Sequence, residues 1–228
     1  MSIFRTHSST PPVVLNLIIA NLVVFMATLL YDDNMLYANF AMFNIDLRCL
    51  GETGMTLFEP WQPFTYMFMH GGFSHLFFNM FSLWMFGRTL ELEMGWKRFL
   101  IYYMVCGVGA ALFQMGIAQI DLMNLGVGTM AWVNYMSIPT VGASGAIFGL
   151  LLAFGMMHPN AIISLIFPPI SMKAKWFVVV YGALELLLGV SGTMDNVAHF
   201  AHLGGMFWGW LLLMWWRSRD RKRNIFYY

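Results

Sequence analysis

The sequence predicts an all-α polytopic membrane protein, a six-transmembrane-helix bundle with an interface-embedded first loop. Three observations lead there. Of the 228 residues, 59% are hydrophobic and only 10% charged, with a mean hydropathy of +0.66, whereas about a quarter of an ordinary globular composition is charged. The apolar residues gather into runs long enough to cross a bilayer. The cations also alternate from one connection to the next, as membrane topology requires. A formal net charge of +1 gives no reason to expect a nucleic-acid partner.

Six runs answer to the length of a membrane span. They are roughly Val13 to Leu30, Ser74 to Thr89, Arg98 to Gln119, Ser144 to Met157, Lys175 to Val190 and Val197 to Trp216. The chain is therefore expected to divide into a short N-terminal segment at 1–12, a six-helix domain at 13–216 and a basic tail at 217–228. The fourth run is too short to cross about 30 Å of hydrocarbon alone. It is expected to stop below the surface and leave its first residue, Ser144, in a water-filled dip. The polar start ends in Pro11-Pro12, and no small-residue cleavage pattern follows the first run, so no cleavable signal is expected. Cys49 and Cys106 have no CxxC neighbour, which gives a disulfide framework or a thiolate metal site little support.

Orientation follows from Lys and Arg. Arg5, then Arg88, Lys97 and Arg98, then Lys173 and Lys175, then the tail from Arg217 to Arg223 mark one side. The other connections carry Asp32, Asp33, Asp46, Glu52, Glu59, Asp121 and Asp195, with Arg48 as their cation. Both termini are accordingly expected in the cytoplasm, and a bacterial plasma membrane is expected as the site. The connection from Tyr31 to Pro63 is long and apolar for a loop. It should carry short helices in the interface, with Trp61 as an aromatic anchor.

Topology sorts the polar residues by depth. Ser144 opens the fourth run at its outer end. His202 lies about 7 to 8 Å below the outer end of the sixth, at 1.5 Å per residue. His75 and Asn79 are one turn apart near the outer end of the second, on one helix face. Ionisable groups at such a depth are costly and are read as functional by default. Gly145, Gly149 and Ala153 repeat at i, i+4, i+8, as do Ala201, Gly205 and Gly209. Two such small-residue faces allow close backbone approach and would bring the serine helix against the histidine helix. A serine hydroxyl needs a base to take its proton, and histidine does this near neutral pH. His75, Asn79 and the Ser144 amide could then hold the oxyanion of a tetrahedral intermediate.

Bland readings compete. "GASG" alone is usually a packing motif, and a lone histidine at a helix mouth is often only interfacial. His199 and His202 form an HxxH, but without HExxH or a carboxylate on that helix zinc is not expected. For a third residue, Asp195 is about 10 Å from His202 along a helix axis, and Glu185 sits on another span. Lys173 and Lys175 lie at the opposite end. A Ser–His dyad is the arrangement expected. The joint placement at one depth outweighs the bland readings.

With these residues the chain resembles the rhomboid family of intramembrane serine proteases over nearly its whole length. The resemblance rests on "WQPFTYMFMHGGFSHLFFN" from Trp61, "GRTLELEMG" from Gly87, "GASGAIFG" from Gly142 and "AHLGGMFWG" from Ala201. It implies Ser144 as nucleophile, His202 as general base and acid, and His75 and Asn79 as oxyanion donors. It implies Glu91 as a structural acid, Gly142, Gly145, Gly205 and Gly209 as structural glycines, and a basic six-helix core gated by the fifth span. Substrates would be single-span membrane proteins cut in the outer part of the bilayer after a small residue. No cofactor is implied. Two departures stand out. Gln62 follows Trp61 where the family often has arginine, so amide hydrogen bonds would replace a salt bridge. Phe148 stands where many members have tyrosine, and would stack on His202 without offering a hydroxyl. The alternative, a catalytically inactive member that binds membrane clients, usually lacks the serine or the histidine. A small transporter would need an inverted repeat, and none is found.

Overall fold

In the computed structural model, residues 10–31, 33–50, 56–165, 169–191 and 198–222 are described. Arg5, Asp32, Glu52, Asp195, Val197 and Arg223, which enter the expectations above, lie outside them. Six long helices form the body: α1 (Pro12–Leu30), α4 (Phe73–Met94), α5 (Trp96–Met123), α7 (Ser144–Met157), α8 (Ala174–Ser191) and α9 (His199–Lys222). Between them lie the short helices α2 (Asp33–Phe40), α3 (Gln62–Thr65) and α6 (Met130–Met136). A small antiparallel hairpin, β1 (Ile162–Ser164) with β2 (Ser171–Lys173), joins α7 to α8, with Ile163 opposite Met172. Neither α6 nor the hairpin was anticipated.

The apolar character is turned outward. Val23 on α1, Phe78 on α4, Leu187 and Val190 on α8 and Trp215 on α9 are all exposed on the bundle's outside. Apolar surface of that extent is rare on a protein that meets water alone. By length and composition α1, α5 and α8 are able to cross a membrane, with α7 a shorter apolar helix. In α4 and α9 the polar residues that build the site dilute the apolar run. The chain is a mostly helical, polytopic membrane protein.

Three of the helices clearly outrun their expected ends: α4, α9, and α5, which runs from Trp96 to Met123 rather than from Arg98 to Gln119. α4 continues past Thr89 to Met94, because Glu91 is paired there rather than exposed. Its carboxylate accepts from the amides of Val13 and Val14 at 3.0 and 2.8 Å, satisfying donors that a helix start leaves open. Pro12 begins α1 at a position where its missing N–H costs nothing. The motif around Glu91 thus builds a joint. A Cβ on Gly87 would lie 2.9 Å from Val14 Cγ2, and Gly95 takes φ +77° to turn α4 into α5. α9 runs past Trp216 into the basic tail, where Asp220 accepts two bonds from Arg98 at 2.8 Å each.

α7 stands at the centre, packed by α4, α5, α8 and α9. Its 14 residues span only about 21 Å at 1.5 Å per residue, short of the hydrocarbon thickness. The predicted pairing of glycine faces is present at one point in full: a Cβ on Gly205 would fall 1.8 Å from the Gly145 carbonyl oxygen. Gly149 also meets α9, with the Gly205 oxygen 3.1 Å from its built Cβ, but its nearest neighbour is Cys106 of α5. Gly209 departs from the expectation. It faces Tyr102 and Cys106 of α5 rather than α7, because α5 closes over the lower half of both helices.

Replacing Gly205 with alanine should destabilise the fold by about 2 kcal/mol or more, since backbone rather than a flexible side chain blocks the added carbon. Gly116 on α5 meets nothing within 4 Å, so Gly116→Ala should be neutral or stabilising by up to about 1 kcal/mol. Denaturant titration of the two variants in detergent checks both signs.

Candidate active site

The site is assembled on a short extended segment held from two sides. Thr140 and Met42 form an antiparallel bridge, with N···O distances of 2.7 and 3.0 Å, so the first loop clamps the approach to α7. The Gly142 amide then donates to the Tyr66 carbonyl at 2.9 Å, and Tyr66 Oη donates to the Gly107 carbonyl of α5 at 2.7 Å. Gly142 has φ +120°, and a Cβ there would lie 2.8 Å from His75 Nε2 and 3.6 Å from Asn79 Nδ2. Glycine is therefore required twice over: by the backbone conformation, and by the side chains of His75 and Asn79 converging on this point.

The first loop has its own polar anchors. Gln62 is fully buried; it accepts from the Phe43 amide at 3.2 Å and donates to the Leu57 and Ala38 carbonyls at 3.1 and 3.3 Å. Trp61 is half-exposed and donates from Nε1 to the Asn39 carbonyl at 2.8 Å. Asp46 accepts from the Arg48 guanidinium at 2.6 Å and from Trp132 Nε1 on α6 at 2.9 Å. The Arg48 guanidinium holds the Asp46 carboxyl well below the usual carboxylate range. Arg48 also donates to the Leu122 and Leu125 carbonyls at 2.6 and 3.1 Å, tying the loop to the end of α5. Its role as a staple was not legible in the sequence.

Ser144 is the first residue of α7, whose N-terminus carries no side-chain cap. The amides of a first turn have no acceptor within the helix, and the helix dipole is positive there. Ser144 Oγ lies 2.8 Å from His202 Nε2 on α9. The ring of Phe148, one turn after Ser144, stacks flat on the His202 ring, with centroids 4.2 Å apart and planes 6° apart. Asn79 Nδ2 is buried and has no partner among the described residues, which leaves a donor available beside the serine helix.

The expectation that Glu185 is out of reach of His202 needs a correction. Glu185 of α8, set aside because it lies on another span, has Oε2 2.9 Å from His202 Nδ1 and 2.6 Å from His199 Nδ1. The reason is topological: α8 and α9 are consecutive, antiparallel and in contact, so residues a similar distance from their connection face each other. A signal was present in the sequence, since a carboxylate in an apolar span is itself costly and calls for a partner. Glu185, His199 and His202 are all buried, and their potential ligand atoms lie within 4.8 Å of one another. The nitrogen–oxygen separations are nevertheless hydrogen-bond distances. Two ligands at about 2.0–2.2 Å from a tetrahedral zinc would stand further apart.

The sequence of residues 57–219 matches the family model of the Rhomboid domain. The chain belongs to the rhomboid family. The matched segment carries Ser144, His202, His75, Asn79, Phe148, His199 and Glu185, while Met42 and the Asp46–Arg48 pair lie before it. Among relatives, this rhomboid is 33% identical over 172 residues to RHOMBOID-like protein 5 of Arabidopsis thaliana, covering 74% of this chain and 50% of that one. It is 28% identical over 207 residues to Rhomboid protease AarA of Providencia stuartii, covering 87% and 70%. It is 30% identical over 156 residues to the putative rhomboid protease YdcA of Bacillus subtilis, covering 68% and 66%. The chain spans half or less of the length of the plant relatives it matches.

His70, just before α4, gives this rhomboid a pH response distinct from the chemistry. It is buried, its ring 5.1 Å from that of His75, and burial pulls its pKa down from 6.5 to about 4. A depressed histidine leaves the unfolded state binding more protons between those values, so stability falls as pH drops from 6.5 to about 4. Melting temperatures of wild type and His70→Asn across that window should show a shallower acid loss in the variant.

Proposed function

We propose that this chain is an intramembrane serine endopeptidase in which Ser144 is the nucleophile and His202 the general base and acid. The observation that carries the reading is the 2.8 Å contact between Ser144 Oγ and His202 Nε2 at the uncapped start of a short central helix. His202 takes the hydroxyl proton as Oγ attacks a substrate carbonyl, and returns it to the leaving amine. The developing oxyanion lies near Gly142, where the Ser144 amide, His75 and Asn79 can donate to it. Phe148 limits rotation of the base by stacking on its ring.

Six spans, with the first loop resting in the interface and both termini in the cytoplasm, form the frame of this reading, supported by the Lys and Arg pattern. The membrane is proposed to be a bacterial plasma membrane; two of the relatives, AarA and YdcA, come from bacteria. Substrates are single-span membrane proteins whose helix unwinds near the outer surface, at the depth of Ser144. No metal or cofactor takes part in the proposed chemistry.

Purified protein in detergent or vesicles should cut a reporter carrying one transmembrane segment. Ser144→Ala and His202→Ala should each lose activity by about 10³-fold or more, and Asn79→Ala by about 10²-fold, with folding unchanged by melting analysis. Full cleavage by folded Ser144→Ala protein would sink the assignment.

A further inference from the structure

We infer that Glu185 is a positioning residue that holds His202 as the base of the Ser144–His202 pair without taking its proton; this rests on the protease reading above. The argument begins with what each atom is able to do. An ionised carboxylate only accepts hydrogen bonds. Its Oε2 lies 2.9 Å from His202 Nδ1, so that nitrogen must carry the hydrogen of the bond. In a neutral imidazole the other nitrogen is then bare. His202 Nε2 is consequently an acceptor, and at 2.8 Å the Ser144 hydroxyl donates to it. That is the tautomer a general base needs. The opposite tautomer would set a bare Nδ1 against the carboxylate oxygen, two acceptors in contact, and its Nε2–H would donate to the serine oxygen and leave no base for the serine proton.

His199 fixes the acid in turn. One helical turn before His202, its Nδ1 lies 2.6 Å from the same Oε2, and its own Nε2 is buried with no partner among the described residues. A single oxygen thus bridges two rings of α9, holding Glu185 in one rotamer and α8 against α9. The groups around His202 are Ser144 on α7, Glu185 on α8, His199 on its own helix and His75 on α4. Glu185 is the acid among them. When His202 takes the serine proton, the imidazolium forms beside this carboxylate, which stabilises it without accepting the proton. No bond changes at Glu185, so it is not a catalytic residue in the sense that Ser144 and His202 are. Phe148 covers the ring face and Glu185 holds its edge, so the plane and the tautomer are set by different helices.

The test is Glu185→Gln in the reporter assay, beside Ser144→Ala and His202→Ala, with the tautomer of His202 read from the nitrogen resonances of histidine-labelled protein. Glutamine has nearly the same shape but also donates, so it no longer selects one tautomer. The expected result is a fall in kcat of about 10²- to 10⁴-fold with KM within about twofold. Wild-type His202 should show hydrogen on Nδ1 and a bare Nε2, and that signature should be lost or mixed in the variant. Glu185→Asp, which keeps the charge on a shorter arm, should recover part of kcat. A variant with wild-type kcat, or one altered only in KM, would reduce Glu185 to a helix-packing group. Should Glu185→Gln fail to fold, the wild-type spectrum still decides: hydrogen on Nε2 overturns the proposal. If Ser144→Ala or His202→Ala cuts normally, the protease reading itself has failed, an outcome separate from a dispensable Glu185.

Discussion

The backbone contact between Gly205 and Gly145 is the constraint on which the site depends. His202 is three residues before Gly205, and Ser144 is next to Gly145, so seating one glycine on the carbonyl of the other brings histidine and serine into line. A side chain at Gly205 would have to displace a backbone oxygen 1.8 Å from its built Cβ, and α9 would have to move as a whole. Lipid offers helices no hydrophobic reason to associate. Close packing at such points, together with buried hydrogen bonds such as that from Tyr102 Oη to the Gly149 carbonyl at 2.9 Å, has to do that work.

Polar groups inside the bundle are distributed with the same economy. A carboxylate at the centre of a membrane helix costs roughly 2.5 to 3.5 kcal/mol even on insertion scales. Among the described residues, the buried span carboxylates Glu91 and Glu185 each have partners that offset this. Glu91 closes α1 on α4 at one end of the bundle, whereas Glu185 joins α8 to α9 beside Ser144. The first loop follows the same logic outside the spans, with Gln62 and the Asp46–Arg48 pair fixing the segment that clamps Thr140. Asn79 Nδ2 is one of six buried side-chain polar atoms without a partner among the described residues, and the proposed chemistry would give it an acceptor in the oxyanion.

The long helices were legible because a span is an apolar run of fixed length. The α7 run coincides with its helix at both ends. That Ser144, His75, Asn79 and His202 would converge was argued from a rise per residue along each helix, and the structure brings Ser144 to His202 and both His75 and Asn79 to Gly142. Gly142 came only with the motif, and its physical need appears once φ +120° and the neighbouring His75 and Asn79 are seen. Glu185 was missed because depth on separate helices says nothing about which faces meet, and the adjacency of consecutive helices was given too little weight. The Gly209 contact with α5 was missed for the same reason, as a spacing repeat names a face but not its partner. Arg48 and α6 belong to tertiary pairing that no local pattern carries.

The most direct test of the central claim is covalent labelling of the wild-type protein in detergent with a fluorophosphonate, and location of the adduct by peptide mass spectrometry. An activated serine predicts one modified residue, Ser144, with labelling lost in His202→Ala protein that remains folded. Labelling at another serine, or equal labelling of Ser144 without His202, would contradict it.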